Sequence, residues 1–383
     1  MKILSIEPTP SPHSMKINVN ESLTAGENYN YNEKDNLEDA PSYVKQLFAI
    51  EGVQNIYRVV DFIALARNPK TAWEELLPKV RAVLGTEETN DDLTPNMQQN
   101  NEEAFGEIKV FIQMFRSIPM QVKLEDGSEE KRFGLPERFS QAIMEASPSS
   151  PNVIMDRKWV EQHPRYGTME EVGEEIVEEL AASYDKDRLD ELVKLAFENQ
   201  ASSSSHSQES RPKKQLTLEV LDDPNWKVRY AALDRFDPTP SDLPLLDKAL
   251  NDEKSSIRRL ATAYLGMIEE PEVLPYLYKA LKDKSVTVRR TAGDCISDLG
   301  FKEATSEMIT TLSDPSRIVR WRAAMFLYEL GDETAIPTLE AAADDPEFEV
   351  RMQIKLALER IQGGAEAKGS VWHQMTQATQ KAD

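Results

Sequence analysis

Five Val-Arg or Ile-Arg pairs, Val228-Arg229, Ile257-Arg258, Val288-Arg289, Val319-Arg320 and Val350-Arg351, stand 29, 31, 31 and 31 residues apart in this chain of 383. Six residues before each arginine is an aspartate: Asp223, Asp252, Asp283, Asp314 or Asp345. Two residues earlier still comes Leu221, Leu250, Leu281, Leu312 or Ala343. A unit of about thirty residues with helical apolar spacing cannot bury its apolar face alone, so it must stack on neighbours, and more than three copies supply a continuous core. The repeat therefore commits the last part of the chain to an α-helical solenoid.

The positions within each repeat carry distinct expectations. Counted from the Val or Ile, positions +4 and +8 are Ala232 and Phe236, Ala261 and Leu265, Ala292 and Ile296, Ala323 and Leu327, Ile354 and Leu358. They share one helical face and are predicted core. Asp-Pro at 223, 314 and 345 predicts the start of a second helix, the carboxylate capping orphan amides and the proline opening the first turn. The arginine at +1 is expected to pair with an aspartate of its own or a neighbouring repeat, in a ladder of bidentate bonds. Position +2 points away from that core and reads Tyr230, Arg259, Arg290, Trp321 and Met352, with Asp234, Ala263, Asp294, Met325 and Leu356 beside it at +6. Tyr, Trp, Arg and Met are enriched where proteins bind proteins, so the +2 stripe is the candidate partner-binding surface. The competing expectation is that these side chains pack on the next repeat or on the N-terminal domains.

This pattern over residues 213–362 resembles HEAT repeats, in particular the short form of phycobilisome-lyase-type HEAT proteins. That resemblance implies a binding surface with the second helix of each repeat on its concave side. Upstream, residues 1–86 alternate apolar segments (Ile3 to Ile6, Met15 to Val19, Ile56 to Val60, Phe62 to Ala66) with helical stretches near 40–50 and 71–84, which reads as a small α/β domain. Its islands Thr9-Pro10-Ser11-Pro12, Met15-Lys16, Leu47-Phe48, Glu51-Gly52-Val53, Asp61-Phe62-Ile63 and Trp73 resemble the N-terminal domain of the NifU/Nfu scaffold family. In that family cluster binding belongs to a separate domain with a Cys-x-x-Cys pair, which this chain lacks.

A second α/β domain is expected at 105–198. Strands over 107–124 with Pro119 interrupting them suggest a hairpin, Asp126-Gly127 a turn, Pro136 to Ala146 a helix, Val153 to Glu161 an extended segment and Met169 to Ser183 a helix. Phe111 to Val122 and Leu135-Pro136-Glu137-Arg138-Phe139, with the three-part order of the whole chain, resemble the conserved virulence factor C proteins of Gram-positive bacteria. The polar stretches 86–104 and 201–212 read as linkers, and 363–383 as a tail. The expected class is thus α/β plus all-α: two small α/β domains followed by a HEAT-repeat solenoid.

Composition narrows the function. The formal charge of −22 disfavours nucleic acid, and acidic residues outnumber basic ones within the repeats too. Apolar runs are too short to cross a bilayer and no export signal is expected at the N-terminus. A single cysteine, Cys295, suits a reducing cytoplasm and is expected to be a buried, inert thiol. His13, His163, His206 and His373 share no ligand spacing, and phosphate loops, dinucleotide fingerprints and nucleophile elbows are missing. Glu170, Glu171, Glu174, Glu175, Glu178 and Glu179 on one helix are expected to form a solvated face rather than an acidic docking face or a metal site. No catalytic residue, metal or cofactor is predicted. The expectation is a non-enzymatic cytoplasmic scaffold or regulator that holds a protein partner, against two rivals: an accessory to iron-sulfur assembly, and a lyase-like HEAT protein acting on a bound chromophore.

Overall fold

The computed structural model describes residues 1–9, 11–24, 27–85, 107–127, 129–201, 217–234 and 236–364. The expected linker at 86–104, most of the one at 201–212 and the tail beyond 364 lie outside these residues. The chain forms two compact units, Met1–Phe105 with Gly300–Asp383 and Gly106–Leu299. Each unites one α/β domain with part of the repeat array.

In the first unit, strands β1 (Ile3–Pro8), β2 (Ser14–Val19) and β3 (Asn28–Asn32) are followed by α1 (Ser42–Phe48), β4 (Val53–Val59), β5 (Phe62–Arg67) and α2 (Trp73–Leu84). The strands make an antiparallel sheet in the order β1-β2-β5-β4-β3. Strict alternation along β2 and β5 sends Met15, Ile17 and Val19 with Ile63 and Leu65 to one face, where they meet Leu47, Trp73 and Leu76 of the two helices. Strand β3, Asn-Tyr-Asn-Tyr-Asn, has no apolar alternation to announce it. The Asn55 amide holds it, donating to Asn30 Oδ1 at 2.8 Å and Asn32 Oδ1 at 2.9 Å.

In the second unit β6 (Glu107–Phe115) and β7 (Ile118–Glu125) form the expected hairpin, joined by Arg116 and Ser117 at φ 46° and 68°. Pro119 sits inside β7, where β8 (Glu130–Gly134) no longer pairs with that strand, so its missing N–H costs no bond to β8. Helix α3 (Glu137–Ala146), strand β9 (Arg157–Tyr166) and helices α4 (Met169–Ser183) and α5 (Lys186–Ala201) complete the domain. The extended segment starts later than expected, because residues 153–156 form a turn. The sheet runs β8-β7-β6-β9, and Val172, Ile176 and Leu180 of α4 cover Ile108, Val110, Val122 and Leu124. Gly173 allows this approach, since a Cβ there would overlap the Phe133 ring.

The repeats follow. The long second helices that carry the Val-Arg pairs are α6 (Trp226–Asp234), α8 (Ser255–Leu265), α10 (Val286–Leu299), α12 (Arg317–Leu330) and α14 (Phe348–Gln362). Between them lie short first helices, α7 (Leu243–Ala249), α9 (Leu274–Ala280), α11 (Thr305–Thr311) and α13 (Ile336–Ala341), each entered through a 3-10 turn. Of the predicted core positions, Ala261, Leu265, Ala292, Ile296, Ala323, Leu327 and Ile354 are fully buried. Ala232, Phe236 and Leu358, in the first and last repeats, are half-buried.

Candidate functional site

The arginine ladder exists. Arg229 bonds both oxygens of Asp252 at 2.7 and 2.9 Å, Arg258 those of Asp283 at 2.6 and 2.9 Å, and Arg320 those of Asp345 at 2.7 and 3.1 Å. Each arginine also donates to the backbone oxygen of its own repeat's aspartate. One planar fork thus ties two consecutive repeats. The aspartates do not cap the second helices as expected, which begin three residues later. Their Oδ1 atoms accept instead from the amide two residues on, for example Ser316 N at 2.7 Å and Glu347 N at 2.9 Å, forming the turn that leads into the helix. At Arg351, where the repeats end, Nη2 reaches Glu74 of α2 at 3.2 Å.

The +2 stripe is not a free surface. Tyr230 is 4%, Trp321 2% and Met352 5% exposed, and Arg259 and Arg290 are largely covered. The predicted exposure is overturned: α4 and β9 cover Tyr230, Arg259 and Arg290, the N-terminal domain takes in Met352, and Trp321 is buried in α12.

In the second unit α4 lies along α6. Arg165, at the end of β9, donates to Glu179 Oε2 at 2.8 Å, and Arg259 of α8 donates to Glu179 Oε1 at 2.8 Å. Arg290 of α10 stacks on Tyr166, 3.4 Å from the ring centroid. Lys254 to Glu178 at 2.8 Å and Arg188 to Asp234 at 3.3 Å flank this centre.

The acidic face of α4, expected to be solvated, is therefore partly an interior surface. Burial pushes the Glu179 carboxyl up, but Arg259 and then Arg165 outweigh it and leave its pKa below the ordinary value. Glu175, 3.7 Å from Arg165, goes the other way: burial first, and repulsion from Glu179 second, raise its pKa. Tyr230 beside them is raised well above the usual phenol value, chiefly by burial. Glu179 is the residue that sequence reasoning missed. Its signal was its position seven residues after Val172 and three after Ile176, in line with Ser183 on a buried face.

In the first unit Met352 of α14 belongs to the core of the N-terminal domain itself, with Phe348 and Leu356 packed beside it. Buried Arg67 donates to Glu349 at 2.6 Å and to the Thr71 carbonyl at 2.6 Å, and lies over the Trp73 ring. Burial lowers the Arg67 pKa despite the pull of Glu349. The Trp73 indole in turn donates to the Pro12 carbonyl at 2.9 Å.

The remaining candidates are inert or peripheral. Cys295 is buried, with burial pushing its thiol far up. His163 is exposed and His13 buried, on different domains. Among the described residues no group of three or more His, Cys, Asp or Glu is placed to hold a metal ion, and no helix is long and apolar enough to cross a membrane.

Arginine-linked helical pairs carrying two α/β domains define a HEAT-repeat protein, and residues 215–297 and 277–359 match the HEAT repeats family. Residues 3–91 match the scaffold protein Nfu/NifU N-terminal family, and 113–193 the virulence factor family. Conserved virulence factor C of Staphylococcus aureus strain MRSA252 is 49% identical over 382 residues, 99% of this chain and 100% of that one. The uncharacterized protein YpgR of Bacillus subtilis is 55% identical over 383 residues, the whole of both chains. The chain belongs to the conserved virulence factor C family. Among solved structures, Staphylococcus aureus SAV1430 is 37% identical over 22% of this chain and 98% of its own, with a TM-score of 0.20.

Proposed function

We propose that this protein is a non-enzymatic cytoplasmic scaffold in which the HEAT repeats are a frame holding two α/β domains, and that protein partners are recruited by the assembled frame. The observation that carries this reading is the occupation of the +2 stripe. Where other HEAT arrays offer such a surface to a partner, here Tyr230, Arg259 and Arg290 face the middle domain and Met352 enters the core of the N-terminal one. The arginines and aspartates of the repeats are engaged in the ladder, with Arg229, Arg258 and Arg320 each held by four bonds. The name of the staphylococcal relatives, conserved virulence factor C, supports a role in virulence.

The test is affinity capture from bacterial lysate with the full chain and with Glu179→Ala. Loss of a specific retained protein when the seam is loosened supports the frame. Identical capture by both contradicts it.

The match of residues 3–91 favours a second reading, an accessory that meets iron-sulfur assembly proteins through its first domain. Retention of those proteins by the full chain, undiminished in Glu179→Ala, selects it. A visible absorption band in the purified protein would instead favour the chromophore-handling reading.

A further inference from the structure

Strand β9 closes one edge of the second sheet and, among the described residues, pairs only with β6. Residues Arg157 to His163 are all exposed, including Trp159 at 36% and Val160 at 43%, and Ile154 and Met155 just before them are 74% exposed. Helix α4 packs on β7 and β8 and reaches β9 only at its far end, through Arg165. An open edge with apolar side chains invites another strand, and folded proteins usually blunt such edges. Two blunting devices, Pro164 and the irregular register opposite Ile108 and Val110, sit at the far end, so residues 157–162 keep a regular pleat, and only the charges of Arg157, Lys158 and Glu161 guard it against an unmatched strand.

We propose that β9 is a homodimer interface, pairing antiparallel with β9 of a second copy about a two-fold axis centred on Trp159. The register follows from parity and charge. A two-fold axis normal to a sheet places residues of the same face opposite one another, so the axis must pass through a residue. Centring on Lys158 opposes two lysines, and centring on Glu161 opposes two glutamates. Centring on Val160 sets Trp159 against Glu161 and Arg157 against His163, with no ion pair. Centring on Trp159, whose ring lies back over the sheet near Lys123 and Arg132, sets Arg157 opposite Glu161 twice and lays the Lys158 stem on Val160 twice.

Within one chain neither Arg157 nor Glu161 has an ion-pair partner among the described residues, so the charges that would satisfy one another are both unspent. Opposite charges directly across a sheet stabilise, and like charges destabilise, a pair of strands. The short strand places this contact among small, weak interfaces.

Sedimentation equilibrium of the full chain at low ionic strength tests the proposal. The expected result is a concentration-dependent dimer. Arg157→Glu and Glu161→Arg should each weaken association at least about tenfold, since either change turns two attractive pairs into two repulsive ones. The double variant Arg157→Glu/Glu161→Arg should recover most of it. Both side chains are exposed, and unchanged circular dichroism confirms that folding is intact. A wild-type monomer at every concentration, a dimer insensitive to the single changes, or a double variant no stronger than the singles each overturns the proposal.

Discussion

The two units attach their α/β domains to the repeats by different physics. In the second unit the seam is centred on charge: Glu179 accepts from Arg165 and Arg259 at 2.8 Å each, and Arg290 covers Tyr166. In the first unit apolar packing, with Met352 built into the domain core, stands beside one buried ion pair, Arg67 with Glu349, and a more exposed one, Arg351 with Glu74. A buried ion pair tolerates no missing partner, whereas an apolar contact shrinks in proportion to what is removed. The first seam thus divides its strength between a graded apolar contact and one buried pair, and the second concentrates it on Glu179.

Removing Glu179 should have the largest effect. Glu179→Ala leaves two buried guanidinium groups without their carboxylate and should cost roughly 3–5 kcal/mol of stability, read by denaturant unfolding. Met352→Ala, which opens a cavity in the first unit, should cost about 2–3 kcal/mol. It should leave the Arg165, Glu179 and Arg259 contacts undisturbed.

Acid acts on the second seam next. Because the folded pKa of Glu179 is depressed below the unfolded value near 4.5, its contribution is fully present above that value and is lost as pH falls through the folded pKa. The second unit should therefore loosen as acid protonates Glu179, as hydrogen exchange at α6 would record. Glu175, with a raised pKa, works against this by easing as it protonates.

Smaller still is the gain expected from Gln353→Met. The Gln353 amide is fully buried in α14 and finds no partner among the described residues, so removing it should stabilise the chain by about 1 kcal/mol, seen as a higher melting temperature. Glu170→Gln, at the exposed end of the acidic helix beside Lys131, should leave unfolding unchanged.

The repeats were legible because their chemistry is periodic: five arginines and five aspartates at fixed offsets can be aligned by eye. The hairpin at 107–125 was legible in its apolar alternation although its turn, Arg116-Ser117, lacks the Asn-Gly signature of two positive φ values. Strand β3 was not, since Tyr29 and Tyr31 alternate with asparagines whose bonds to Asn55 come from 23 to 25 positions away. Helix α5 was missed as well, its apolar residues being shared between the core and an exposed end that leaves Leu195 and Phe197 in solvent.

The candidate site was legible in composition and misread in exposure. Tyr230, Arg259, Arg290 and Met352 do form an interface, but its other side lies in the same chain. Sequence spacing reports which face a residue occupies and not what that face meets.

Hydroxyl-radical footprinting of the full chain tests the central claim most directly, because one spectrum holds stripe residues and exposed controls of the same chemistry. Met352, Trp321 and Tyr230 should react far more slowly than Met267, which is 61% exposed, Met155 at 74% and Trp159 at 36%. In Glu179→Ala, Tyr230 should become reactive while Met352 stays protected. Oxidation of Met352 and Trp321 at the rate of Met267 and Trp159 in the unaltered chain would return the stripe to solvent and contradict the account.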